Sequence, residues 1–125
     1  MLNVFRSFFS TARSSSPAAM TQAGVKVQAA IKNSAVVLFS KSYCPYCHAT
    51  KRTLDALNAK YELMELDKMP DGSALQDSLE EISGQRTVPN VYIKQKHIGG
   101  NSDIQDLQSA GKLEPLLKEA GAIQE

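Results

Sequence analysis

Five consecutive apolar residues, Ala35-Val36-Val37-Leu38-Phe39, constrain this chain more than any other stretch. A strand with one wet face alternates apolar and polar side chains. This run does not alternate, so it predicts a strand covered on both faces, inside a central sheet. Covering both faces of a sheet requires helices, and the flanking segments supply them. Thr21 to Asn33 predicts a helix with Thr21 as N-cap, although Val25 and Val27 are spaced as in a strand. Pro45 to Asn58 predicts a second, with Ala49, Leu54 and Leu57 inward. Ser73 to Ile82 gives a third, closed by Gly84. Tyr61 to Leu66 and Val91 to Ile93 read as further strands. Gln95-Lys96 is expected to turn into a fourth strand at His97-Ile98. Ser102 or Asn101 is expected to cap a helix through Leu107, and Leu113 to Ala120 to form the last one. The order α-β-α-β-α-β-β-α-α is that of a layered α/β fold. Its sheet must be mixed, because a hairpin is antiparallel.

Directly after the apolar run stands Cys44-Pro45-Tyr46-Cys47, which holds both cysteines of the chain. A Cys-x-x-Cys pair at a strand-to-helix junction is a redox signature. The first sulfur falls at the helix N-terminus, where unpaired N–H groups and the helix dipole favour the thiolate, the attacking species. The second sulfur follows one turn later, within disulfide range. Pro45 suits a first helical turn, because its missing N–H would have no partner there. Lys41 adds positive charge nearby. The chemistry implied is thiol–disulfide exchange: Cys44 attacks, and Cys47 or an outside thiol resolves the mixed disulfide. Two cysteines are too few for a secreted disulfide framework and suit a transient, catalytic pair.

The 125 residues suffice for one domain. No apolar run is long enough to span a membrane, and a net charge of +1 gives no general pull toward nucleic acid or membrane. The charge is unevenly spread. Seven basic residues precede the first acid, Asp55, and the remainder nets −6 from seven basic and 13 acidic residues. Residues 1–20 hold Arg6 and Arg13, several serines, a Leu/Val/Phe subset and no acid. That composition matches a mitochondrial targeting presequence, leaving 21–125 as the folded domain. Met20 offers a second start that would give a shorter cytoplasmic form.

Three metal readings compete with thiol exchange. Zinc would need Cys44, Cys47, His48 and His97 together, without a second Cys-x-x-Cys or a His pair. Cys44 to His48 also matches the c-type haem pattern C-x-x-C-H, but it follows a buried strand in an α/β pattern. An iron–sulfur cluster could be held by Cys44 of two subunits with outside thiols.

Two further stretches carry chemistry. In Thr87-Val88-Pro89, the proline enters a strand, and an X-Pro bond can be cis. In Gly99-Gly100-Asn101-Ser102-Asp103, the glycines allow a tight turn and close backbone approach. The following helix start can receive a carboxylate on its N–H groups. Asp103 could take an ammonium; alternatively, Ser102 simply caps the helix and Asp103 is an ordinary acid at its start.

In series, these three stretches resemble the glutaredoxin family: Lys41 to Cys47, Thr87 to Pro89 and Gly99 to Asp103, within roughly 25–120. The Cys-Pro-Tyr-Cys form resembles the dithiol class. Thioredoxins flank the pair with Trp, and this chain has none. The resemblance implies a thioredoxin fold with a four-stranded mixed sheet, and an enzyme that reduces protein disulfides and glutathione mixed disulfides. Glutathione would be the co-substrate, with no tightly bound cofactor and no metal. Cys44 would be the nucleophile and Cys47 the resolving thiol. Lys41, Gln76 and Arg86 would stand near the glycine carboxylate of glutathione. Tyr46 would line the groove, and Thr87, Val88 and a cis Pro89 would meet the tripeptide backbone. Ser102 and Asp103 would hold its γ-glutamyl end. Partners would be glutathione and glutathionylated or disulfide-containing proteins, met by a monomer. Pro45 departs from the Ser or Gly of cluster-binding relatives, which argues against the iron–sulfur reading.

Overall fold

The computed structural model describes residues 21–124. The expected presequence and its Met20 lie outside the described residues. In chain order come α1 (Gln22–Asn33), β1 (Val36–Ser40), α2 (Pro45–Ala56), β2 (Glu62–Glu65), a 3-10 turn (Leu66–Lys68) and α3 (Gly72–Ser83). The hairpin β3 (Asn90–Ile93) and β4 (Lys96–Gly99) follows, then α4 (Asn101–Ser109) and α5 (Leu113–Glu119). Thr21 caps α1 as expected, its hydroxyl accepting the Gly24 N–H at 3.0 Å. Val27 is buried and Val25 exposed, so the segment is helical and not a strand. Gly84 ends α3 in the left-handed region, at φ 78°.

The sheet order is β2-β1-β3-β4. β2 runs parallel to β1, β3 antiparallel to β1, and β4 antiparallel to β3. This is the mixed sheet of a thioredoxin fold. All five residues of β1 are buried: Val36 to Phe39 as the apolar run requires, and Ser40 beyond it, while Ala35 precedes the strand and is half-buried. Val37 and Phe39 join Val27, Leu75, Leu79 and Tyr92 in a core beneath α1 and α3. Val36 and Leu38 join Leu54, Val91, Ile93, Ile104, Leu113 and Leu117 beneath α2, α4 and α5. Period-2 geometry thus divides one strand between two cores.

Some boundaries differ from expectation. The hairpin turn is Lys94-Gln95, not Gln95-Lys96, with φ of 50° and 67° at the two residues. Positive φ at both centres suits the right-handed twist of a hairpin, even without Gly or Asn. α2 ends at Ala56; Leu54 is buried and Leu57, its C-cap, packs against the core as expected, Ala49 is only half-buried, and Cys47 and Thr50 are buried in addition. The cap of α4 is Gly100, not Asn101 or Ser102. Leu63 in β2 is exposed, while Met64 and Leu66 face the core.

Register sets the position of the site. Phe39 near the end of β1 faces Asn90 at the start of β3, and Val91 faces Gly99 at the end of β4. The loops after β1, before β3 and after β4 therefore emerge at one end of the sheet.

Candidate active site

Those three loops carry the three sequence motifs. Cys44 is the N-cap of α2, in extended conformation, with Pro45 as the first helical residue. Its sulfur accepts the Cys47 N–H at 3.2 Å, and its carbonyl accepts the His48 N–H at 3.1 Å. An N–H donor and the N-terminal end of a helix thus converge on one sulfur. The loop before it is pinned from two sides. Asp67 accepts both the Ser42 N–H at 2.8 Å and the Ser42 hydroxyl, and His48 Nε2 contacts the Ser42 carbonyl at 2.7 Å. The Lys41 carbonyl accepts the Cys44 N–H at 3.1 Å. Ser42 holds the Asp67 carboxyl below the usual carboxylate range.

The second sulfur differs in kind. Cys47 is fully buried, whereas Cys44 is partly open. Burial first, then the hydrogen bond to the Cys44 sulfur, pushes the Cys47 thiol up, with Ser40 and the Lys41 backbone opposing. Tyr43 and Tyr46 stand on either side of Cys44, each 68% exposed.

The second motif meets the first directly: the Val88 carbonyl lies 3.7 Å from the Cys44 sulfur. The Val88–Pro89 peptide bond is cis. Thr87 is exposed, Val88 half-buried and Pro89 buried. The third motif packs on the second, since a Cβ at Gly100 would sit 3.5 Å from the Pro89 carbonyl oxygen. At Gly99, φ is 124°, and a Cβ would collide with the Asp103 carboxylate, so only glycine fits. Asp103 reaches back to accept the Gly100 N–H at 2.9 Å. It is thus a helix-capping group in this structure, and Ser102 stands exposed beside it in the first turn.

Gln76, in the second turn of α3, meets Arg86, which follows the end of that helix. The Gln76 amide donates to the Arg86 carbonyl at 2.8 Å. The Arg86 Nη1 contacts Asp77 at 2.7 Å and Glu80 at 3.1 Å, which pushes its guanidinium still higher. Lys41 forms no ion pair among the described residues.

Sequence reasoning passed over several supporting residues. Thr50 is fully buried and donates to Asn101 Oδ1 at 2.9 Å, while Gln105 bridges Asn101 and Thr53, joining α2 to α4. Gln85 donates to both Thr87 and Pro89 carbonyls. Thr50 and Asn101 lie 51 positions apart and Gln105 and Thr53 lie 52 apart, so the sequence offers no local signal for the links between α2 and α4. The four proposed zinc ligands are not gathered: His48 bonds to Ser42, and His97 stands on β4 beside Tyr92 and Gln85. Among the described residues, no three His, Cys, Asp or Glu side chains stand ready to share a metal ion. No described helix is long and apolar enough to cross a membrane.

Comparison with known proteins agrees with this geometry. Residues 36–98 match the Glutaredoxin family model. A glutaredoxin of Ricinus communis is 53% identical over 98 residues, 78% of this chain and 96% of its own. The chain belongs to the glutaredoxin family. Glutaredoxin-1 of Saccharomyces cerevisiae is 47% identical over 92 residues, 70% of this chain and 84% of its own. The crystal structure of the buckwheat glutaredoxin–glutathione complex superposes with a TM-score of 0.80 at 46% identity, covering 82% of this chain and 93% of that one. The enzyme is a glutathione-dependent thiol oxidoreductase of thioredoxin fold. Its two cysteines are adjacent within one helical turn.

Proposed function

We propose that this glutaredoxin works as a dithiol enzyme on glutathionylated proteins, small glutathione mixed disulfides and protein disulfides. The observation that carries the reading is the contrast between its two sulfurs: an accessible Cys44 held by an N–H, and a buried Cys47 beside it. The Cys44 thiolate attacks the glutathione sulfur of a mixed disulfide. The substrate leaves as its thiol, taking a proton from solvent, and Cys44 carries the glutathione. A second glutathione thiolate then attacks that glutathione sulfur, releasing oxidised glutathione and restoring Cys44. With a protein disulfide, Cys47 loses its proton and attacks the Cys44 sulfur. The substrate leaves as a dithiol, and two glutathiones reduce the resulting Cys44–Cys47 disulfide.

For the tripeptide, the cleft offers the Val88 backbone beside Cys44, with Thr87, cis Pro89 and Tyr46 as walls. The buckwheat relative is a glutathione complex, which supports glutathione as the ligand. Lys41, Gln76 and Arg86 serve the glycine carboxylate. The Arg86 Nη1 is engaged with Asp77 and Glu80, so its remaining N–H groups would make that contact. Ser102 and the first turn of α4 receive the γ-glutamyl carboxylate, and the free carboxylate oxygen of Asp103 receives the ammonium. The enzyme acts as a monomer on glutathione and protein thiols, not on nucleic acid or membrane, and its N-terminal segment directs it to mitochondria or is absent from a cytoplasmic form. Iron–sulfur binding is the alternative. Pro45 at the first helical position weighs against it.

The test is a coupled assay with a glutathione mixed disulfide, glutathione, glutathione reductase and NADPH. Cys44→Ser should abolish turnover. Cys47→Ser should spare deglutathionylation and impair reduction of a protein disulfide. Equal loss of both activities in Cys47→Ser would refute the division of labour. A visible cluster absorbance with stoichiometric iron in anaerobically purified protein would favour the alternative.

A further inference from the structure

Gln85 lies between the C-cap of α3 and the Thr87-Val88-Pro89 segment, half-buried and bonded through both its backbone and its side chain. Its N–H donates to Ser83 Oγ at 3.1 Å, and its carbonyl accepts from Ser83 Oγ at 3.2 Å and from Asn90 Nδ2 at 3.4 Å. Its side-chain nitrogen donates to the Thr87 carbonyl at 2.9 Å and to the Pro89 carbonyl at 3.0 Å. Only the NH2 end of an amide can meet two carbonyls, which fixes the amide orientation. Its oxygen then faces His97 Nε2 at 3.2 Å, and the His97 ring rests on Tyr92 with centroids 5.2 Å apart. The same amide nitrogen lies 3.9 Å from where a Cβ of Gly100 would stand. One side chain thus bonds to the second motif and to β4, and lies close to the backbone of the third.

The carbonyls before and after Val88 are both turned to this amide, and the Val88 carbonyl between them is turned to the Cys44 sulfur. We propose that Gln85, oriented by His97, is a positioning residue that holds the Val88 backbone open toward the cleft for a glutathionyl group. It touches neither sulfur. It sets recognition of the tripeptide and leaves the attack by Cys44 alone. The inference rests on the glutathione reading above.

The test compares two disulfides. One is a glutathionylated peptide, whose recognition uses the Val88 backbone. The other is dipyridyl disulfide, which carries no peptide and reports only the reactivity of Cys44. Gln85→Leu keeps bulk and loses both donors. It should lower kcat/KM for the glutathionylated peptide about tenfold, about 1.4 kcal/mol. Its rate with dipyridyl disulfide should stay within about twofold of wild type. Gln85→Glu places oxygens against two carbonyl oxygens and should lose more in the same selective way. His97→Phe keeps the ring on Tyr92 and frees the amide, so it should show a smaller selective loss even if the Gln85 variants fold poorly. Unchanged peptide kinetics in folded variants, or equal loss with both disulfides, would overturn the assignment. A wild-type enzyme that turns over dipyridyl disulfide but shows no preference for the glutathionylated peptide would instead overturn the glutathione reading itself.

Discussion

Cys47 should be chemically silent in the folded, reduced protein. A thiol titrating at the ordinary 9.0 is about 1% ionised at pH 7, and burial pushes Cys47 above that value. Its side chain is also inaccessible, so a reagent must wait for an opening. A domain stable by about 5 kcal/mol unfolds wholly in only about one molecule in several thousand, and local opening of the first turn of α2 is more frequent. The two effects together should slow alkylation by at least about a hundredfold relative to the unfolded chain. The measurement uses Cys44→Ser, which leaves Cys47 as the sole cysteine. That substitution removes the weaker cause of the thiol's elevation and keeps the burial. Iodoacetamide incorporation is followed by mass spectrometry, in buffer and in urea at the same pH. A native rate within about tenfold of the unfolded rate would refute the reasoning. The consequence is an order of events: Cys47 cannot compete for the first attack and acts only on a mixed disulfide already formed at Cys44.

Gly72→Ala should destabilise the protein, because its Cβ would run into the Leu66 backbone carbonyl and force α3 away from the 3-10 turn. The overpacking costs about 1–3 kcal/mol and outweighs the helix gain of about 0.5–1, and an equal or higher Tm would contradict it. Asp67 is held below the usual carboxylate range by Ser42, so its contribution is present above the unfolded value of 3.8 and is lost as pH falls through the lower folded value. Carboxyl-carbon NMR should show its midpoint below 3.8, and a midpoint at or above that value would remove the argument. Burial first, then the Asp55 hydrogen bond at 2.9 Å, pushes the Tyr61 phenol up to about 12. The neutral phenol therefore favours the fold below its unfolded value of 10.0, an advantage lost as pH rises through about 12. Burial also pushes the Tyr92 phenol up, so ultraviolet titration should find both Tyr61 and Tyr92 late, and only the Tyr61 step should shift downward in Asp55→Asn.

Local signals in the sequence located most elements. Thr21 and Gly84 bracket helices through chemistry confined to a few residues, and both act as caps in the structure. The apolar run signalled a central strand, and its four residues Val36 to Phe39 are buried in succession in β1, which an edge strand with one wet face would not allow. Where neighbouring residues share a propensity, the sequence cannot choose. Gly100, Asn101 and Ser102 are all acceptable caps, and Asp103 decides by reaching back to Gly100. Lys94-Gln95 has no turn signature, and its place follows from the pairing of Ile93 with Lys96. The inner face of α2 was legible at Leu54 and Leu57 but not at Thr50, which looks polar. Its hydroxyl finds Asn101 across 51 positions, and no local pattern encodes that. At the site, the cysteines, the Thr-Val-Pro segment and the paired glycines were visible as motifs. Gln85 was not, since its partners are backbone carbonyls that take up their positions only after the chain has turned into β3.

The division of β1 between two cores has a consequence for how the enzyme fails. Its odd- and even-numbered side chains lock into opposite layers, so neither layer can melt and leave that strand in place. The nucleophile hangs from the far end of the same strand. Loss of either layer should therefore silence the sulfur and dissolve the fold in one transition, with no half-folded species left to react indiscriminately.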